Sequence, residues 1–253
     1  MNNKTILITG ASSGIGEAIA KKFAAEGNKL ILNGRNQEKI YALKKELEKS
    51  YNTSIHTIIF DVRDFDAAEK AIKELPDNFK DISVLVNNAG LALGVDKEFE
   101  GNMSDYETMI DTNIKALLKM TLLVVPEMIQ RQEGHVINIG SIAGEKAYPG
   151  GSVYCATKAA VKALSDGLRM DLYDTPIRVT NLKPGLVETN FSVIRYYGNK
   201  QKADNVYRDI KPLTGKDIAE VAYFVASAPA HVQISEVEIL ATHQASAQMV
   251  WRG

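Results

Sequence analysis

Seven β-branched apolar runs alternate along the chain with stretches of helical apolar spacing, and this alternation restricts the fold more than any other feature. The runs are TILIT (5–9), KLILN (29–33), IHTIIF (55–60), SVLVNN (83–88), HVINIG (135–140), IRVTNL (177–182) and VEIL (237–240). Helical patterns fill 14–26, 36–50, 64–74, 104–130, 152–174 and 216–227. A strand that reads as a nearly continuous apolar run is buried on both faces, as in a parallel sheet covered by helices on either side. The expected fold class is therefore α/β, a single doubly wound parallel sheet with helices on both faces. Short connections leave no interdomain linker, so residues 1–253 are expected to form one domain. The one long irregular stretch, 186–214, has the size of a lid or binding loop.

Charge and residue usage exclude several classes of partner. Thirty Lys and Arg against 31 Asp and Glu give a net charge of −1, with no electrostatic footprint for nucleic acid or an anionic membrane. The longest apolar helical pattern, 116–128, is interrupted by Lys119 and Pro126, so no membrane span is expected. The single cysteine, Cys155, has no internal disulfide partner, and MNNKTILITG runs directly into a strand. A reducing, cytoplasmic setting is expected. His56, His135, His231 and His243 lack metal-ligand spacing, and no metal site is expected.

The first strand ends in TGASSGIGEAIA, with Gly10, Gly14 and Gly16 at the turn and in the first helical turn. Glycines there let the backbone bend and approach a pyrophosphate, which sits against unpaired N–H groups at the positive end of the helix. The second strand ends in LILNGRNQEK. Where an NAD-binding chain usually carries an acid for the ribose 2′-hydroxyl, this one has Gly34 followed by Arg35. A guanidinium attracts a 2′-phosphate that a carboxylate would repel, which favours NADP. Lys39 adds charge one turn later.

Within GGSVYCATKAAVKAL, Tyr154 and Lys158 lie four apart, on one face of a helix. These motifs resemble the short-chain dehydrogenase/reductase family along essentially the whole chain. The resemblance rests on TGASSGIG (9–16), FDV with Asp61, NNAG (87–90), DTN ending in Asn113, INIGS ending in Ser141, YCATK (154–158) and KPGLVETNF (183–191). It implies a Rossmann-type sheet and a catalytic set of Asn113, Ser141, Tyr154 and Lys158. It implies a cofactor site of Gly10, Ser12, Ser13, Gly14, Ile15, Gly16, Arg35, Asp61, Val62, Asn87, Ala89, Gly90, Tyr154, Lys158, Pro184, Gly185, Val187 and Thr189. Tyr154 would pass a proton to or from the substrate oxygen, and Lys158 would lower its pKa and hydrogen-bond the nicotinamide ribose. Ser141 would bond the same oxygen, and Asn113 would position Lys158 through water.

Within the family, NNAGLALG (87–94), YETMIDTN (106–113), YPGGSVYCATK (148–158), PGLVETNFSVIRYYG (184–198) and APAHV (228–232) resemble the NADP-dependent 3-hydroxy acid dehydrogenases. That likeness implies small hydroxy acid substrates such as L-serine, L-allo-threonine and 3-hydroxypropionate, the last formed from malonic semialdehyde. Arg195, with Lys200 and Lys202 nearby, places cations in the lid for a substrate carboxylate; Ser141 and Tyr154 complete the expected substrate site. The long helical patterns 104–130 and 152–174 resemble the pair that builds the family's homotetramers. The competing readings are a 3-ketoacyl thioester reductase, a broad-specificity carbonyl reductase, and a non-catalytic NADP-binding sensor or scaffold. The intact Asn113, Ser141, Tyr154 and Lys158 argue against the last.

Overall fold

The computed structural model describes the whole chain, Met1–Gly253. Its first half runs β1 (Thr5–Ile8), α1 (Gly14–Ala25), β2 (Lys29–Gly34), α2 (Gln37–Tyr51), β3 (Ile55–Ile59), α3 (Phe65–Lys73), α4 (Asp77–Lys80) and β4 (Ile82–Asn87). Next come α5 (Met103–Ile110), a π-helical turn (Asp111–Lys115), α6 (Ala116–Arg131), β5 (His135–Ile139), a 3₁₀ turn (Ile142–Gly144), α7 (Ser152–Asp171) and β6 (Arg178–Pro184). The remainder is β7 (Val187–Glu188), α8 (Phe191–Arg195), α9 (Lys200–Val206), β8 (Leu213–Thr214), α10 (Gly215–Ser227) and β9 (Glu236–Ile239).

Seven strands form one sheet in the order β3-β2-β1-β4-β5-β6-β9, and each neighbouring pair is parallel. The two-residue period of a strand sends successive side chains to opposite faces. Ile6 and Ile8 join Phe23, Leu30, Leu32, Val84, Val86 and Val225 under α1 and α10. Leu7 lies between Ile31 and Leu85 in the register and packs on the other side with Met120, Met128 and Val136. With both faces buried, the strands need no polar alternation. Truncating a fully buried strand residue such as Leu85 to Ala would cost roughly 2–5 kcal/mol, because it leaves a cavity as well as losing transfer energy.

Strand order reverses at β1, whose neighbours are β2 and β4, and such a switch point opens a crevice beyond the carboxyl ends of the strands. Two departures from the sequence reading shape that crevice. The continuous helix expected over 104–130 is interrupted by the π-helical turn, whose extra residue places Asn113 inward at 2% exposure. The stretch 186–214, expected to be irregular, holds α8, α9 and a short parallel ladder joining Val187–Glu188 to Leu213–Thr214. No helix is long and apolar enough to cross a membrane.

Candidate active site

A cleft of about 580 Å³ runs along the carboxyl edge of the sheet, from Arg35 at one end to Tyr154 and Arg195 at the other. Its floor at the β1 end is built from glycine. Gly10 and Gly14 have φ of +65° and +60°, a left-handed conformation that side-chain-bearing residues rarely adopt. A Cβ on Gly10 would also stand 3.0 Å from the Ala89 Cα. Ser13, the N-cap of α1, is extended and makes no capping bond with its side chain. The first-turn N–H groups of α1, which have no partner within the helix, remain available where Gly14 and Ile15 line the cleft. The arrangement accepts an elongated anionic ligand.

Ser12, Ser13, Asp61, Val62, Ala89, Gly90, Pro184, Gly185, Val187 and Thr189 also line the cleft. Gly16, Asn87 and Asn113 do not. Gly16 packs away from the cleft, where a Cβ would lie 2.4 Å from the Gly10 carbonyl oxygen. Asn87, the last residue of β4, points into the sheet and donates to Asn138 Oδ1 at 2.9 Å, so the expectation that it borders a ligand is corrected. Its neighbour Asn88 lines the cleft and donates from Nδ2 to the Thr9 and Gly10 carbonyls, bracing the glycine turn.

At the mouth, Arg35 is 62% exposed and donates to Asp61 Oδ2 at 3.3 Å. Asp61 is held more tightly by Arg63, through Nε at 3.0 Å and Nη2 at 2.7 Å. The Arg63 guanidinium is the main reason the Asp61 carboxyl falls to about 2.

At the other end, α7 presents Tyr154 and Lys158 on one face, and both are buried. Lys158 Nζ lies 6.0 Å from the Tyr154 ring centroid and donates to the Ile139 carbonyl at 2.7 Å. Burial brings its pKa down to about 8. Ser141 caps the 3₁₀ turn by accepting from the Ala143 N–H at 3.1 Å, and its Oγ donates to the Pro184 carbonyl at 3.5 Å. Asn113 accepts from the Leu91 N–H and donates to the Leu91 carbonyl and Thr157 Oγ. It meets Lys158 at Gly90, where a Cβ would lie 3.2 Å from Asn113 Oδ1 and 3.5 Å from Lys158 Nζ.

The Tyr154 phenol sits above its ordinary pKa, chiefly through burial, with Tyr148 adding to the rise and Ser141 and Arg195 opposing it. In the chain by itself the groups that lower it are Ser141 and Arg195 rather than Lys158. Desolvation penalises the buried phenolate, and this dominates.

Arg195, from α8, lies in this cluster but is largely engaged by the protein. It donates to the Gly94 carbonyl at 3.2 Å, Tyr148 Oη at 3.0 Å and the Gly150 carbonyl at 3.1 Å. Its Cζ is 6.0 Å from the Tyr154 ring centroid. Lys202 lies in a neighbouring groove, and neither it nor Lys200 lines the cleft.

Tyr148, Phe191 and Gln244 were not singled out from the sequence, yet all three line the cleft. Phe191 packs on Tyr154 with ring centroids 5.6 Å apart. An aromatic two residues before the Gly150–Gly151 pair was the available signal for Tyr148; Gln244 sits in a polar tail that gave none.

The family model for short chain dehydrogenases matches residues 4–196. The chain belongs to the short-chain dehydrogenase family. It is 46% identical over 253 residues to the NADP-dependent 3-hydroxy acid dehydrogenase of Schizosaccharomyces pombe, covering 100% of this chain and 98% of that relative. It is 46% identical over 243 residues to the serine 3-dehydrogenase of Agrobacterium fabrum, covering 96% of each. The closed form of a serine dehydrogenase complexed with NADP+ is similar with a TM-score of 0.92 at 45% identity, covering 96% of this chain and 97% of the other. In family terms, this chain is an oxidoreductase.

Proposed function

We propose that the protein is an NADP-dependent dehydrogenase of small 3-hydroxy acids, acting on L-serine, L-allo-threonine and 3-hydroxypropionate and reducing the matching carbonyls. One observation carries the reading: a single cleft joins a glycine-floored anion cradle with an exposed arginine at its mouth to a Tyr–Ser–Lys cluster in which Tyr154 and Lys158 are buried. The similarity to the 3-hydroxy acid and serine dehydrogenases supports the substrate class.

Gly10, Ser12, Ser13, Gly14 and Ile15 would hold the pyrophosphate of NADP, Arg35 its 2′-phosphate, and Asp61 and Val62 its adenine. Pro184, Gly185, Val187, Thr189 and Ala89 would flank its nicotinamide, with Gly90 beside Lys158. The bound cofactor supplies or accepts the hydride. Tyr154 Oη moves the proton to or from the substrate oxygen, which Ser141 Oγ also bonds. The Lys158 ammonium, with positive charge contributed by the cofactor, brings the buried phenol back toward neutral pH; a cation in a dry site acts more strongly than one in water. Asn113 fixes the backbone at Leu91 and, with Gly90, bounds the space around Lys158 Nζ.

Residues 186–214 form the lid over a single catalytic domain. The two N–H groups of Arg195 not committed to the protein meet the substrate carboxylate, which orients the hydroxyl-bearing carbon. Assembly as a homotetramer belongs to the same proposal and is supported by Leu122 on α6 and Tyr173 just after α7, exposed by 71% and 87%. A cytoplasmic setting suits the free Cys155.

Parallel kcat/KM measurements test the reading, with NADP and NAD on L-serine and 3-hydroxybutyrate and with NADPH and NADH on acetoacetate and an acetoacetyl thioester. A preference for NADP and the free acids is expected; faster turnover of the thioester overturns the substrate class. Light scattering checks the tetramer.

A further inference from the structure

A carboxylate at the mouth of a site for a doubly charged phosphate is electrostatically misplaced, and Asp61 is such a carboxylate. It lines the cleft and lies 3.3 Å from Arg35, the cation assigned to the 2′-phosphate. Left to itself, an arginine–carboxylate pair closes into a two-pronged contact that occupies both partners.

Arg63 prevents this. Its Nε and Nη2 take both Asp61 oxygens at 3.0 and 2.7 Å, and its backbone N–H adds a third contact to Oδ1 at 3.0 Å. Arg35 keeps one contact at 3.3 Å and remains 62% exposed. Arg63 itself does not line the cleft. Its side chain is committed to the Asp61 carboxylate, so it makes no contact with a phosphate held in the cleft and acts there mainly by offsetting the charge of Asp61.

From this geometry we infer that Arg63 sets the cofactor preference indirectly: it neutralises Asp61 and thereby frees Arg35 for the 2′-phosphate. Arg63 is a positioning and screening residue, two removed from the ligand. The inference rests on the NADP reading given above and assigns a residue which that reading does not use.

Calorimetric binding of 2′,5′-ADP and 5′-AMP tests it without turnover, because the ratio of the two affinities isolates the 2′-phosphate. The parent should prefer 2′,5′-ADP. Arg63→Ala should cut the affinity ratio by about tenfold with 5′-AMP binding kept, the size expected for one charge-assisted contact. Asp61→Asn combined with Arg63→Ala should restore the ratio to within about threefold of the parent, since no carboxylate is left to screen.

An unchanged ratio in Arg63→Ala overturns the inference and leaves the NADP reading standing. A fall that the double substitution does not repair makes Arg63 a direct phosphate ligand, which also overturns it. A parent with no preference between the two nucleotides overturns both. Should Arg63→Ala fail to fold, Asp61→Asn with and without Arg63→Ala decides: equal ratios support screening, and unequal ratios refute it.

Discussion

Lys158 Nζ stands 6.0 Å from the centroid of the Tyr154 ring, yet its hydrogen bond goes to the Ile139 carbonyl rather than to the phenol. Any influence of the ammonium on the phenol is therefore exerted through charge rather than through a direct hydrogen bond. Tyr154→Phe removes the proton donor and keeps the ring packed on Phe191, so turnover should fall about 10²- to 10⁴-fold with nucleotide affinity retained. Lys158→Ala should displace the rise of the oxidation rate toward higher pH, whereas Lys158→Arg should retain part of the parent profile. Identical pH profiles in parent and Lys158→Ala would remove the electrostatic role.

The same lysine carries a stability cost. Its pKa in the folded chain, about 8, lies below the ordinary 10.5, so the unfolded chain binds more protons between these values. Folding stability should therefore increase as pH rises from about 8 to 10.5, and the full penalty is present below 8. Lys158→Met keeps the length of the stem without the charge. It should raise stability at pH 7 by about 1–3 kcal/mol while abolishing turnover, with the gain shrinking toward pH 10. Urea unfolding at pH 7 and pH 10 checks both signs.

Arg195 is both a latch and a carboxylate ligand in this reading, and substrates of different charge separate the two. Its three bonds tie α8 to the segments containing Gly94, Tyr148 and Gly150, and the Gly94 N–H returns a bond to the Arg195 carbonyl at 3.0 Å. Because the side chain holds the protein together here, Arg195→Ala should slow neutral alcohols as well, by a few fold. Small hydroxy acids should lose about tenfold more, the usual size of a charge-assisted contact. Equal losses in kcat/KM for both classes would leave only the latch.

The sheet was legible because each strand is announced twice, by an apolar run and by the turn that ends it. The π-helical turn was not, since an inserted residue in a helix leaves the apolar spacing of 104–130 nearly intact while rotating Asn113 inward. Asn87 and Asn88 show the limit of a motif. NNAG marks the place, but only the end of β4 at Asn87 decides which amide turns into the sheet and which toward the cleft. The rise of the Tyr154 phenol in the protein by itself was illegible for a similar reason: a four-residue spacing gives proximity and says nothing about desolvation. The contribution of the polar C-terminal tail depends on contacts nearly 60 residues apart in sequence, between Leu186 and Gln244.

That tail contact yields the last prediction. Gln244 is 4% exposed; its Oε1 accepts from the Leu186 N–H at 2.8 Å and its Nε2 donates to the Ser246 carbonyl at 3.2 Å. A Cβ on Gly185 would come within 2.2 Å of that Oε1, so the tail packs directly on the segment assigned to the nicotinamide. Gln244→Ala leaves the Leu186 N–H without its partner, at a cost of about 1–3 kcal/mol where water does not replace it. The Pro184–Val187 segment should loosen, raising KM for NADP several fold more than it lowers kcat. Gln244→Glu retains the acceptor for Leu186 and loses the donor to Ser246, so it should recover most of the cofactor KM. A uniform fall in kcat with unchanged KM in both variants would show that the tail stabilises the fold without positioning the segment.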